Sequence, residues 1–318
     1  MGVGLLYLSY KDVPMKELWG HIKQANFLFV GLSFIMGYLA IVSRGMRWNL
    51  LLEPLDFKAK TWNCIHAVSF GYFANTFVPR SGEVARCVAL YQTDDVPVNR
   101  LIGTVIMERI VDSCMLLIFL LIAFFTHLDA FGILMENASL GDGSGTVFYL
   151  SLMGGIAGLF FVLFLIFRSK LKKTIVYQKI ATFLSGMEDG LKSVFKMKKR
   201  MLFLGHTFFI WGMYYLMAYV VFFAIPETSH LSMLNGLFIV VAGGLGMVFP
   251  SPGGTGSYQY AVKLGFLALG LSEVTGVIFG TIVWATQTVM ILSTGTVAAA
   301  ALFIARKRKA SLNSNNHA

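Results

Sequence analysis

Three polar constellations interrupt an otherwise apolar sequence, and their residue types point to anion handling. The first runs from Asn75 through Pro79-Arg80-Ser81-Gly82-Glu83 to Arg86. Pro79 ends a helix, because it lacks an N–H and restricts Val78, and Ser81 then stands as an N-cap for a second helix. Arg80, Glu83 and Arg86 recur every three residues and share roughly one helical face. A helix N-terminus beside guanidinium forks is a ready phosphate site; an Arg–Glu pair at a membrane surface is the alternative. The second is Glu108-Arg109 with Asp112, the carboxylates at i and i+4 and Arg109 about 100° round the helix. Each such charge inside a membrane costs at least ~2.5–3.5 kcal/mol, so the cluster marks either a pathway or a structural tie between helices. The third spans residues 242–259 and includes Pro250-Ser251-Pro252-Gly253-Gly254 and Gln259, where glycines leave backbone amides bare. No Gly-Lys-Ser/Thr follows it, so nothing supports direct ATP coupling.

The elements that must position these groups are transmembrane. Of 318 residues, 56% are hydrophobic and 13% charged, with 28 Phe and a mean hydropathy of +0.70. Soluble domains are about a quarter charged. The composition therefore excludes an ordinary soluble enzyme. The net charge of +10 comes from basic residues lying between apolar runs, the pattern of cytoplasmic loops rather than of nucleic-acid binding. Cys64, Cys87 and Cys114 show no metal or disulfide spacing and read as buried hydrophobes. No metal site or cofactor is expected. His66 and Lys263 read as packed or snorkelling side chains.

Apolar runs of about 20 residues predict spans at 27–52, 101–125, 147–167, 201–225 and 274–304. Residues 1–10 read as the end of a first span whose start precedes them, and 13–24 as an interfacial helix. The 168–200 loop holds ten Lys/Arg against Glu188 and Asp189, which places it in the cytoplasm together with Arg44, Arg47, Lys58, Lys60 and the Arg306–Lys309 tail. Residues 126–145 hold no Lys or Arg and are external. Lys11, Lys16 and Lys23 fall outside against this rule, partly offset by Asp12 and Glu17.

Parity then requires regions 62–96 and 231–271 to cross an even number of times, although each is short for two full spans. The expected fold is an all-α, polytopic integral membrane helix bundle with two oppositely inserted re-entrant, broken-helix hairpins whose tips meet in mid-membrane. Two ordinary pairs of kinked helices are the alternative. Residues 1–305 form one transmembrane domain, with hairpins 62–96 and 231–271 and the cytoplasmic loop 168–200; 306–318 is a basic, then polar, cytoplasmic tail.

With these motifs in this order, the chain resembles the lysylphosphatidylglycerol synthase transmembrane-domain family over nearly its whole length. The resemblance rests on Asn75…Pro79-Arg80-Ser81-Gly82-Glu83…Arg86, Glu108-Arg109…Asp112 and Pro250…Pro252-Gly253-Gly254…Gly256. It implies a flippase-like module of the bacterial or archaeal inner membrane. The longest polar stretch, 168–200, is too short for an aminoacyl-transferase core, so no enzymatic activity is expected of this chain. Many relatives carry an acidic residue shortly after the Pro-Gly-Gly turn, where this chain has Gln259.

The functional expectation is movement of a phospholipid or polyprenyl-phosphate-linked lipid between leaflets. Arg80, Arg86 and Arg109 bind phosphate, with amides near Ser81, Gly253 and Gly254. Glu83, Glu108, Asp112, Asn75 and Gln259 orient these groups or carry protons, and Pro79, Gly82, Pro250 and Pro252 shape the hairpins. The alternatives are a channel or carrier for a small anion, and an accessory membrane subunit of a cell-envelope glycosyl- or acyl-transferase. Partners are the lipid and the membrane, with a homodimer or envelope enzyme as further candidates and no nucleic acid.

Overall fold

The computed structural model describes residues 2–11, 13–129, 197–247 and 251–315, and among them the regular structure is all helical. The expected span 147–167 and nearly all of the 168–200 loop lie outside the described residues, as does Pro250. A short helix α1 (Gly2–Tyr10) is followed by α2 (Met15–Gln24), whose Trp19 and Met15 are exposed. Helix α3 (Phe27–Leu52) starts where the Asn26 side chain accepts the Leu28 amide at 3.0 Å. Its buried face runs through Ser33, Gly37, Ala40, Ile41, Arg44, Trp48 and Leu52, the three-to-four spacing of one helical stripe.

Two helical hairpins pack on this frame. The first is α4 (Thr61–Phe77) with α5 (Gly82–Asp94). Val78 is extended, as the residue before a proline must be, so α4 stops at Phe77. Arg80 turns the chain with φ of +65°, a left-handed conformation that costs an L-residue about 1–2 kcal/mol. The open ends are tied together: Asp94 accepts the Lys60 amide at 3.0 Å and the Asn63 side chain at 2.8 Å. Near the turn, Gly71 and Gly82 bring the two backbones into contact, and a Cβ on Gly82 would fall on the Gly71 carbonyl oxygen. Helix α6 (Val98–Thr126) follows, charged only in its first half and strongly apolar in its second.

Helix α7 (Arg200–Tyr219) runs antiparallel to α3, as the bonds Ser33 to Met217 (2.8 Å) and Arg47 to Thr207 (3.1 Å) show. The second hairpin pairs α8 (Met233–Gly246) with α9 (Ser257–Ala268). Gly246 lies against Ser257 and Ala261, and Gly265 against Ile239 and Ala242, which fixes their antiparallel register. The turn Pro252–Gly254 reaches Thr76 at the end of α4. The second turn therefore packs against the last turn of α4.

Helix α10 (Glu273–Asn315) binds the assembly together. Gly276 and Gly280 admit α9, Gly295 admits Phe73 of α4, and Trp284 Nε1 donates to the Gly253 carbonyl at 2.9 Å. It does not stop where the apolar run ends. The Ala/Lys/Arg/Leu composition after residue 304 favours helix, so α10 continues through the basic tail. There Lys309 reaches Asp95 at 2.7 Å.

Among the described residues, three stretches are long and apolar enough to cross a membrane: Phe27–Leu55, Arg200–Ala224 and Glu273–Ser311. Leu117, Ile118, Leu121, Ile122 and Phe125 on α6 are exposed, an apolar surface that water does not tolerate and lipid does.

Candidate functional site

The polar heart of the molecule is a buried charge network where α3, α5 and α6 converge. Glu108 and Arg47 are fully buried, Arg44 and Arg86 are each 4% exposed, and Asp112 is 8% exposed. Arg86 Nη2 binds Glu108 Oε2 at 2.5 Å. Arg47 Nη2 lies 3.4 Å from Glu108 Oε1 and 2.9 Å from Asp112 Oδ1. Arg44 Nη1 completes the chain at 3.0 Å from Asp112 Oδ2. The order is Arg86–Glu108–Arg47–Asp112–Arg44, so each carboxylate bridges two guanidiniums.

Aromatic faces hold the cations in place. Arg86 lies 4.7 Å over the Trp48 ring, Arg47 5.5 Å over Phe203, and Arg44 5.8 Å over Tyr214. Trp48 is itself fixed by Nε1 donating to Thr104 Oγ1 at 2.8 Å. The Nε hydrogens of Arg44, Arg47 and Arg86 nevertheless have no acceptor. Among the described residues, three buried cations face two buried carboxylates, an excess of one positive charge.

A small cleft of about 20 Å³ opens beside this network, lined by Arg44, Tyr72, Asn75, Glu83, Arg86 and Arg109, with Val68 and the facing glycines 71 and 82. At its rim Arg109 Nε pairs with Glu83 Oε1 at 3.2 Å, with side chains 50% and 35% exposed. Such a half-exposed pair contributes about 0–1 kcal/mol and is readily opened.

The structure rearranges the residues expected from the motifs. Arg86, Glu108 and Asp112 come together in the network. Arg109 does not join them: one position on from Glu108, it is carried to the rim, where it meets Glu83. Arg80 does not share a face with Glu83 and Arg86, because it lies in the turn before α5 begins and is exposed. Ser81 stands at the N-cap position without capping, since its hydroxyl donates to the Val78 carbonyl at 2.7 Å. Asn75 takes that role and accepts the Gly82 amide at 2.7 Å.

In the second hairpin the Gly254 amide is spent on the Ser251 carbonyl at 3.1 Å, so it is not bare. Gly253 lends its carbonyl to Trp284. Gln259 Oε1 accepts the Gly256 amide at 2.9 Å, closing the start of its own helix rather than facing the charge network. Gly253, Gly254 and Gly256 all have positive φ, so Pro252 and these glycines make a turn and no charged cradle.

Arg44 and Arg47 are the residues the motif reading missed. Near the end of an apolar run they read as markers of the cytoplasmic side. The available signal was their register: both fall on the stripe of Gly37, Ala40, Ile41 and Trp48 that α3 buries.

Fold and site together define a multi-pass helical membrane protein with a charged interior. The chain matches the model of the family described as "Lysylphosphatidylglycerol synthase TM region" over residues 1–295. It belongs to that family. Two archaeal proteins are similar to it. The UPF0104 membrane protein PH1989 of Pyrococcus horikoshii is 22% identical over 274 residues, 80% of this chain and 81% of that one. The UPF0104 membrane protein MJ1595 of Methanocaldococcus jannaschii is 30% identical over 96 residues, 29% of each chain. No solved structure matches.

Proposed function

We propose that this protein moves a phosphate-bearing lipid between the leaflets of the cytoplasmic membrane, without enzymatic chemistry of its own. The observation that carries the reading is the excess of guanidinium charge beside a small cleft at the turn of the first hairpin. A buried arginine excess is costly unless paired. The carboxylates hold the arginines between cycles, and an arriving phosphate exchanges with them. Arg109 and Glu83 part to admit the headgroup while the lipid tails remain in the bilayer.

Helix lengths support the hairpins as re-entrant elements. At 1.5 Å per residue, α4, α5, α8 and α9 extend about 26, 20, 21 and 18 Å, each short of the ~30 Å hydrocarbon core. Broken helices inserted from opposite faces are a recurring transporter device. The basic end of α10 then faces the cytoplasm.

The test is the full chain purified and reconstituted in liposomes with an acyl-labelled fluorescent anionic lipid. Protein-dependent exchange between leaflets is expected, falling at least tenfold in Arg109→Ala and Arg86→Lys. Exchange unchanged in both variants rejects this site. Uptake of a water-soluble anion in place of lipid movement would favour the channel or carrier reading instead.

A further inference from the structure

We infer that the exposed face of α2, with the apolar stripe that begins α3, forms a binding surface for an anionic phospholipid in the leaflet at the opposite end of the molecule from the basic tail of α10. The inference is independent of the transport reading, since a lipid held here need not cross the membrane.

The starting point is a pair of lysines in an unexpected place. Lys16 and Lys23 lie on α2, beside the first residues of α3, whereas Lys309 is tied to Asp95 at the other end of the bundle. That other end is fixed by Asn49, near the end of α3, donating to Thr61 at 3.0 Å, and by the Lys60 amide on Asp94. Membrane proteins concentrate their loop cations on one side. Lysines at the opposite end therefore call for a reason of their own.

Helix α2 has two faces. Leu18 is buried and Ile22 packs beside it on the core, while His21 Nδ1 lies 3.5 Å from Glu227 Oε1, so one side is held down. Lys16, Trp19 and Lys23, at i, i+3 and i+7, share the other side and are exposed. Lys23 Nζ stands 5.5 Å over the Trp19 ring, and neither lysine pairs with a carboxylate among the described residues. An exposed indole between two lysines matches the headgroup layer, where the ring sits at the interface and the ammoniums meet phosphate. Two cations without a counter-charge favour a headgroup of net negative charge; a zwitterionic one would bring its own ammonium against them.

Helix α3 supplies the surface for the tails. Three residues after Lys23 the chain reaches Phe27 and Leu28, both exposed. Leu28, Leu32, Ile35 and Leu39 then recur at i, i+4, i+7 and i+11, all exposed on one stripe. From Leu28 to Leu39 the helix rises about 16 Å. That lines an acyl chain through one leaflet, about half of the ~30 Å hydrocarbon core. A soluble anion would use the lysines and leave this stripe bare.

The experiment uses the full chain in phosphatidylcholine nanodiscs with a trace of phosphatidylglycerol or phosphatidylcholine carrying a diazirine at the head of one acyl chain, and locates the cross-links by mass spectrometry. Phosphatidylglycerol is expected to label residues 15–28 at least threefold more than phosphatidylcholine, with the preference shrinking at high salt. Lys16→Gln combined with Lys23→Gln is expected to abolish the preference there and leave labelling elsewhere unchanged, and the corresponding pair of arginine substitutions is expected to retain it. Equal labelling by the two lipids in the unmodified protein, or a preference that survives the glutamine pair, overturns the inference. The comparison of the two lipids on the unmodified protein decides the matter if the variants do not fold. Glycerophosphoglycerol displacing the label as well as dihexanoyl phosphatidylglycerol does would make the ligand a free anion and overturn the lipid assignment. Labelling in nanodiscs that is absent in native membranes would put a partner protein on this face and overturn it too.

Discussion

The two hairpins have similar length and handle their turns with Pro and Gly, yet they use their polar residues differently. The first places Arg86 in a charge network and Glu83 at the rim of a cleft. The second carries Phe266, which packs with Phe222 and Phe279 of neighbouring segments, and Phe238, whose ring lies against His127 at the end of α6. Its buried polar side chains are spent locally: Gln259 closes its own helix start, and Lys263 pairs with Glu273 at the start of α10. One hairpin contributes to the shared charge network, and the other sets its turn against the end of α4. Shape alone thus does not assign function to a broken helix; the charges that neighbouring helices bring to it do.

The contrast predicts unequal sensitivity. The largest effect belongs to Glu108→Leu, which strands Arg47 and Arg86 in the interior; a loss of about 3–5 kcal/mol is expected, read as aggregation or a collapsed melting transition in detergent. Gln259→Leu removes one neutral cap and should cost only about 1 kcal/mol by the same assay. Comparable losses at the two sites would erase the distinction. Next comes Gly82→Val, whose side chain collides with the Gly71 carbonyl and Asn75; about 1–3 kcal/mol or more should be lost. In the second turn Gly253→Ala meets nothing nearer than 3.7 Å, so only its positive φ is penalised, at about 1–2 kcal/mol. Arg109→Ala sharpens the comparison from the other side: stability should change by no more than about 1 kcal/mol while lipid exchange is lost. The smallest effect is expected for Lys309→Ala, which removes a pair with the well-exposed Asp95; melting should shift by less than about 1 kcal/mol.

The legibility of the site follows the range of the forces involved. Pro79 and the extended Val78 were readable because proline acts on its immediate neighbour. Glu108 and Asp112 were readable because one turn of helix separates them. Ser81 misled, since the rule that hydroxyls cap helices does not say that Asn75, seven residues back, reaches the Gly82 amide first. Arg109 misled in the same way, because an angle around one helix does not fix which neighbour stands there.

Hydropathy and charge placement by themselves determined a multi-pass helical protein, the extents of α3 and α6 to within a few residues, and the breaks that make the hairpins. These properties depend on local backbone chemistry and on the cost of putting polar groups in hydrocarbon. Only the tertiary structure decided that Arg44 and Arg47 belong to the interior. Their fate rests on α3 lying beside α6 so that Glu108 and Asp112 are within reach, and a one-dimensional charge count at the end of an apolar run cannot distinguish a guanidinium that faces water from one that faces two carboxylates.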